Sequence, residues 1–307
     1  MSVLYTFPGQ GSQQAGMLSR LPPVKPTDDA LRIAREVLGR DPLDMETEAS
    51  LASTVSAQLA LLIAGVATAG ALADLGCRPD MVAGMSVGAF PAAVVAGVLR
   101  YEDALRLVDM RARLMQQAYP AGYGMVAILG LDESQVRRAV ADVHTAGNPV
   151  YVANINAERQ VVISGADAAM AAVAQRALRA GATHCPRLAV SVPSHCELLC
   201  DAAATLRRCL ADVSLRPPGV AYLSSSLARA IADPDRIAED LATNLCREVN
   251  WRDTAQLAWE RGARLAVEMP SGDVLTRLMI PAFAEGMAVA CSANSLETIR
   301  ALSVRER

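Results

Sequence analysis

The chain has 307 residues, of which 52% are hydrophobic and 20% charged, and its net charge is −3. This composition excludes a disordered, collagen-like or low-complexity chain, and the length suits one large domain or two ordinary ones. Aromatics are only 4%, so Ala, Val and Leu must fill the core. Lysine occurs once, at Lys25, and no basic run with interleaved aromatics points to nucleic acid.

In chain order, residues 2–7 read as a short apolar strand running into the turn-rich loop Pro8-Gly9-Gln10-Gly11-Ser12-Gln13. Residues 28–39 and 54–73 read as helices. The charge-free apolar run 59–73 is shorter than the ~20 residues that span a bilayer, so it reads as a core helix and no membrane is expected. A brief strand at 81–83 precedes Gly84-Met85-Ser86-Val87-Gly88 and an Ala-rich helix, and 102–118 is a further helix. From about 122 to 190 the pattern is strand 124–131, helix 132–144, strands 150–156 and 160–164, helix 168–180 and strand 183–190. This βαββαβ order is ferredoxin-like. It reads as a small domain, 122–190, inserted between the halves, 1–121 and 191–307, of a larger α/β domain. A helix over 194–211 and a strand over 264–268 follow. The first residues lack a basic stretch ahead of an apolar one, so no secretory signal is expected. Seven scattered cysteines without a CxxC pair suit reduced thiols and a cytoplasmic location.

Gly84-x-Ser86-x-Gly88 lies between a predicted strand and a predicted helix. A sharp turn there strains the serine backbone and exposes its hydroxyl above the sheet, and the helix start offers N–H groups to an oxyanion. The alternative is a plain glycine-rich turn. A serine nucleophile needs a base. Of the three histidines, His144 ends a surface-type helix and His184 lies in the inserted domain. His195, where the insertion returns to the large domain, is the best partner. Gln10, just after the first strand, can offer a backbone N–H that pairs with that of Val87 as a two-donor oxyanion hole. On the helix 102–118, at roughly 100° per residue, Ala104, Val108, Arg111 and Met115 share one stripe, and Arg106 and Arg113 lie opposite. Arg111 therefore points inward, where a guanidinium needs an anion. That anion is either an internal Asp or Glu or a substrate carboxylate held bidentately. His184, Cys185, His195, Cys196, Cys200 and Cys209 cluster in sequence but lack metal-ligand spacing, so no metal is expected.

Phe7-Pro8-Gly9-Gln10-Gly11-Ser12-Gln13, the GxSxG elbow, Met110-Arg111-Ala112-Arg113, Asn154-x-Asn156 with Gln160-Val161-Val162-Ile163-Ser164-Gly165, and Val192-Pro193-Ser194-His195 follow one another in the order seen in malonyl-CoA:acyl-carrier-protein acyltransferases. The chain resembles that family over nearly its whole length. The resemblance implies an α/β-hydrolase-like large domain with a ferredoxin-like insertion. It implies Ser86 as acylated nucleophile, His195 as base, Gln10 and Val87 as oxyanion hole and Arg111 as binder of the malonyl carboxylate. It implies Asn250, in Val249-Asn250-Trp251, as the source of the carbonyl that orients the histidine. Met85, Asn154 and Asn156 would line the site. Malonyl-CoA is the implied donor, the phosphopantetheine-type thiol of an acyl carrier protein the acceptor, and no cofactor is bound.

Three departures from the family pattern stand out. Met85 replaces a usual histidine, Met269-Pro270-Ser271-Gly272 replaces a Gly-Pro-Gly turn, and Ala89-Phe90 stands where an acidic residue is common. These features are similar to the acyltransferase (epsilon) subunit of malonate decarboxylase, which would add other decarboxylase subunits as partners and a phosphoribosyl-dephospho-CoA group on the carrier. The alternatives are the transacylase of fatty-acid synthesis, a serine esterase or thioesterase using an acid such as Asp167, and a non-catalytic scaffold subunit.

Overall fold

The computed structural model describes residues 2–306. Its ten strands are β1 Ser2–Phe7, β2 Met81–Gly84, β3 Tyr123–Leu129, β4 Val150–Ala157, β5 Gln160–Ala166, β6 Ala221–Ser224, β7 Arg229–Ile231, β8 Val249–Asn250, β9 Ala263–Glu268 and β10 Met287–Ala290. They form a six-stranded sheet in the order β10-β9-β1-β2-β6-β7 and a four-stranded sheet in the order β3-β5-β4-β8. In the larger sheet all neighbours are parallel except the edge pair β6–β7. Parallel strands with helices on both faces are buried on both sides, which is why β1, β2 and β9 read as apolar runs rather than alternating ones. The fold is mixed α/β.

The helix Thr54–Asp74 is apolar on every side because it is enclosed on every side. It is long and apolar enough to cross a membrane, but 89% of that stretch is buried inside the protein. With the helices Lys25–Leu38 and Tyr101–Ala118 it builds the main core on one face of the large sheet. A second apolar cluster, around Trp251, Leu275 and Phe283, covers the other face. A third lies between the small sheet and the helices Glu133–Ala141 and Asp167–Arg179. The first of these helices carries a full capping box from Asp132 and Gln135, so its start is written locally.

Two expected elements differ. Residues 183–190 do not form a continuous strand. They touch β3 through isolated antiparallel bridges, Leu129 with His184 and Val126 with Arg187. Pro186 has no N–H to give a ladder, although its carbonyl still accepts from Ala127 N at 3.0 Å. The helix expected from 194 starts only at Cys200, after a 3-10 turn at Glu197–Leu199. His195 has φ +64, a left-handed conformation that no helix continues.

Candidate active site

Open parallel sheets place ligand sites beyond the carboxyl ends of their strands. Here β1 ends at Phe7 and β2 at Gly84, directly opposite one another. Beyond β2 the chain turns through a 3-10 segment, Ser86–Gly88, into the helix Ala89–Val95. Ser86 has φ +56. The flanking glycines are required by space: a Cβ on Gly84 would stand 2.1 Å from the Gly88 carbonyl, and one on Gly88 would stand 2.1 Å from the carbonyl oxygen of Phe7. Strand, turn and helix are thus pressed together at the two glycines, and the serine between them is held in strained geometry.

The loop after β1 is fixed by its own hydroxyls. Ser12 Oγ donates to the Gly9 carbonyl at 2.9 Å, and Ser271 Oγ donates to the Ser12 carbonyl at 2.6 Å. Ser271, one of the two residues that depart from the usual Gly-Pro-Gly turn, therefore ties that turn to the loop carrying Gln10. Val87 directly follows the serine at the start of the turn, where the first N–H groups have no intrahelical acceptor.

Ser86 and His195 border one cavity of about 200 Å³. Gln10, Gln58, Met85 and Ser194 line it from the large sheet's side, and Met125, Ala127, Asn154, Asn156 and Val162 line it from the small sheet. Asn154 and Asn156 are two apart on β4, so they face the same way. Both are buried, and the Oδ1 of each has no hydrogen-bond partner.

The imidazole of His195 is buried and anchored at Nδ1. That nitrogen donates to the carbonyls of Asn244 at 2.7 Å and Arg247 at 3.2 Å. The proton is therefore on Nδ1, and Nε2 is the nitrogen left to accept one. Asn250 does not do this, which corrects the expectation from the sequence. Its N–H goes to Ser225 O at 2.7 Å and its amide to Ser226 O at 3.1 Å. The 3-10 turn Asn244–Cys246 lies there instead: the Asn244 carbonyl takes the imidazole beside its own turn's Arg247 N–H at 3.4 Å, and the Arg247 carbonyl just past the turn is the second acceptor. Burial and then the charge of Arg111 push His195 down to about 4, while the two carbonyls oppose that shift.

Arg111 lies inside, as the helical stripe requires, with Ala104, Val108 and Met115 also buried, while Arg106 and Arg113 pair outside with Asp103 and Asp109. Its Nη1 donates to Gln58 Oε1 at 2.5 Å. Its Nη2 donates to Ser86 Oγ at 3.1 Å and Asn244 Oδ1 at 3.3 Å. Its Nε has no partner. Among the described residues no carboxylate pairs with it, and burial pushes its guanidinium down to about 9. The open choice between an internal acid and an external one is thereby narrowed: every acceptor that the described residues supply to it is neutral. Gln58 also donates to Gln10 Oε1 at 3.3 Å, so it joins the arginine to the first loop.

Gln58 and Asn244 were not apparent from the sequence. Gln58 had one signal, a lone amide at the edge of an apolar run; Asn244 had none. Asp167, the acid a hydrolase reading would want, is half-exposed and paired with Arg187 at 2.8 Å. His195 Nδ1 is already occupied by carbonyls.

A strained serine at a strand-to-helix elbow and a histidine fixed in one tautomer line one cavity, and these are residue types that acyl transfer can use. The comparisons agree. The acyl transferase domain family matches residues 4–300, and the chain belongs to that family. It is an acyltransferase. It is 36% identical over 279 residues to the malonyl CoA-acyl carrier protein transacylase of Haemophilus influenzae, covering 89% of each chain. It is 35% identical over 280 residues to that of Escherichia coli K12, covering 89% of this chain and 90% of the other. Its structure resembles an acyl carrier protein S-malonyltransferase from Vibrio cholerae (TM-score 0.89, 35% identity, 94% and 96% of the two chains). It also resembles the malonyl-transacylase of a complex with a type II polyketide-synthase acyl-carrier protein (TM-score 0.92, 32% identity, 100% of each).

Proposed function

We propose that this chain transfers malonyl from malonyl-CoA to the prosthetic-group thiol of an acyl carrier protein, through a malonyl ester on Ser86. The observation that carries this reading is the buried Arg111, surrounded only by neutral acceptors and in contact with the Ser86 hydroxyl. A cation so placed is costly until an anion arrives. A malonyl group on Ser86 brings a free carboxylate to it, and that carboxylate takes over the Nη2 contact now made by the hydroxyl.

His195 Nε2 takes the Ser86 proton as Oγ attacks the thioester carbonyl. The N–H groups of Gln10 and Val87 receive the oxyanion. The tetrahedral adduct collapses by breaking its C–S bond, and the leaving CoA sulfur takes the proton from His195. The carrier thiol then enters, gives its proton to His195, attacks the ester, and the proton returns to Ser86. The unpaired Oδ1 atoms of Asn154 and Asn156 suit the amide N–H donors of a pantetheine arm.

The relatives described above carry transacylase names, and this favours a transacylase of the fatty-acid type over a malonate decarboxylase subunit. The second reading is motivated by Met85, Ala89 and Phe90. The carrier that co-purifies, and whether its group is ordinary phosphopantetheine, separates them. We read residues 1–121 and 191–307 as an α/β-hydrolase-like domain and 122–190 as its ferredoxin-like insertion. The separate apolar core beneath the small sheet supports that division.

The test is incubation with malonyl-CoA followed by peptide mass mapping, then addition of carrier protein. Malonyl should appear on the Ser86 peptide, be absent in Ser86→Ala, and move to the carrier. No label on Ser86, or free malonate released as fast as carrier is charged, overturns the proposal.

A further inference from the structure

The loop that carries Gln10 has little packing of its own. At its start Gly9 is pressed onto the elbow: a Cβ there would stand 3.0 Å from the Met85 carbonyl oxygen and 3.4 Å from Ser86 Cβ. At its crest Gly11 has φ +108, and a Cβ on it would meet nothing within 4 Å. A glycine in open space is conformationally free, so hydrogen bonds must hold the loop's shape. Ser12 Oγ and Ser12 N both donate to the Gly9 carbonyl, at 2.9 and 3.4 Å, and Gly11 N donates to Gln13 Oε1 at 2.6 Å. These bonds close the loop on itself without fixing it to the sheet. Among the described residues, the main chain of 9–12 has one hydrogen bond to a residue distant in sequence: the Ser12 carbonyl accepts from Ser271 Oγ at 2.6 Å. Both serines are buried.

Ser271 itself stands on firm support. On one side of its turn, Met269 N donates to the Thr6 carbonyl at 2.8 Å, at the end of β1. On the other side, the buried carboxylate of Glu268 accepts from Leu275 N at 3.0 Å and Thr276 N at 2.6 Å. The serine proton is committed to Ser12, because the other acceptor in reach, Met17 Sδ at 3.8 Å, is a weak one. Glycine and proline carry no side-chain donor, so a Gly-Pro-Gly turn at this place could not make the bond.

We propose that Ser271 is a positioning residue for acyl transfer: through Ser12 it sets where the Gln10 N–H stands relative to Ser86. This rests on the transfer reading above, in which that N–H receives the oxyanion. Peptide planes are rigid, so with Gly9 and Ser12 both held, only the dihedrals of Gln10 and Gly11 are left to aim the N–H. Removing the Ser271 hydroxyl frees the Ser12 end and leaves a buried carbonyl without its donor. The hydrogen bonds of Arg111 and His195 involve no main-chain atom of the loop and stay as they are. A displacement of about 1 Å in a group that meets the reacting atoms costs ~10²-fold in rate.

The test compares the unmodified chain with Ser271→Ala and with Ser271→Thr, which keeps the hydroxyl. In Ser271→Ala, kcat for transfer should fall about 10²-fold while KM for malonyl-CoA holds. The malonyl-to-acetyl acylation ratio should stay where Arg111 sets it, and the acid limb of the rate should stay near 4, where His195 sets it. Ser271→Thr should recover kcat. A fluorophosphonate, whose phosphoryl oxygen uses the same two N–H groups when Ser86 attacks phosphorus and fluoride leaves, should label Ser271→Ala more slowly by a similar factor. The proposal fails if Ser271→Ala keeps the unmodified kcat, whatever its urea midpoint. It also fails if the ratio or the acid limb moves with kcat, or if Ser271→Thr is as slow as Ser271→Ala. Fluorophosphonate labelling does not depend on malonyl-CoA. A chain that takes the phosphonate but no malonyl therefore fails the transfer reading and still decides the role of Ser271.

Discussion

Replacing Arg111 by methionine tests the site where it is most exposed to error. The side chain is fully buried and touches Gln58, Ser86 and Asn244, none of them charged. Methionine keeps most of the volume and removes the charge. Losing one partner of a buried charge pair costs about 2–5 kcal/mol, or roughly 30- to 5,000-fold in the reaction that uses it. Ser86 acylation by malonyl-CoA should drop by that factor, while acylation by acetyl-CoA, which has no second carboxyl, should hold or rise. Stability should move the other way. An unpaired buried cation is a liability in the free protein, and apolar replacement of buried ions is often neutral or stabilising by about 1–4 kcal/mol. The assay is a single-turnover mass measurement with each thioester, beside urea unfolding of both proteins. An unchanged malonyl-to-acetyl ratio would refute the reasoning, because the guanidinium would then not be reading the carboxylate.

Further outcomes are expected at Gln58, His195 and Gly88. Gln58→Glu places a carboxylate where Arg111 Nη1 now meets a neutral oxygen; malonyl acylation should fall as that internal acid competes, and the urea midpoint should rise. His195 acts as a base only when neutral, so with its imidazole pushed down to about 4 the acylation rate should stay flat on acidification until near that value. In Arg111→Met the acid limb should move up, though burial, the larger cause, keeps it below the ordinary 6.5; an unmoved limb counts against the coupling. The folded imidazole titrates below the unfolded one, so its stability contribution is complete above about pH 6.5 and lost as pH falls toward 4, by about 3 kcal/mol in all. His195→Gln should flatten that slope in urea titrations. Gly88→Ala drives a Cβ to 2.1 Å from the Phe7 carbonyl and should cost on the order of 3 kcal/mol or more, seen as a lower urea midpoint.

The elbow and the inward arginine were legible in the sequence, because each depends on forces within one short stretch. Two glycines around a serine between an apolar strand and an apolar helix state a steric requirement. A helical stripe of Ala104, Val108 and Met115 carries Arg111 inward wherever the helix is placed. What Arg111 and His195 then meet was not legible. Asn244 is 133 residues from Arg111 and 49 from His195, and Gln58 is 53 residues from Arg111. Such neighbours are set by how helices and turns pack, not by spacing along the chain. A backbone carbonyl carries no residue identity at all, so the group that fixes the imidazole leaves no mark in the composition of its segment. The sequence by itself determined a serine at a tight elbow, a histidine on the same cavity and a buried cation. Only the packing decided that, among the described residues, the cation meets neutral acceptors and no acid.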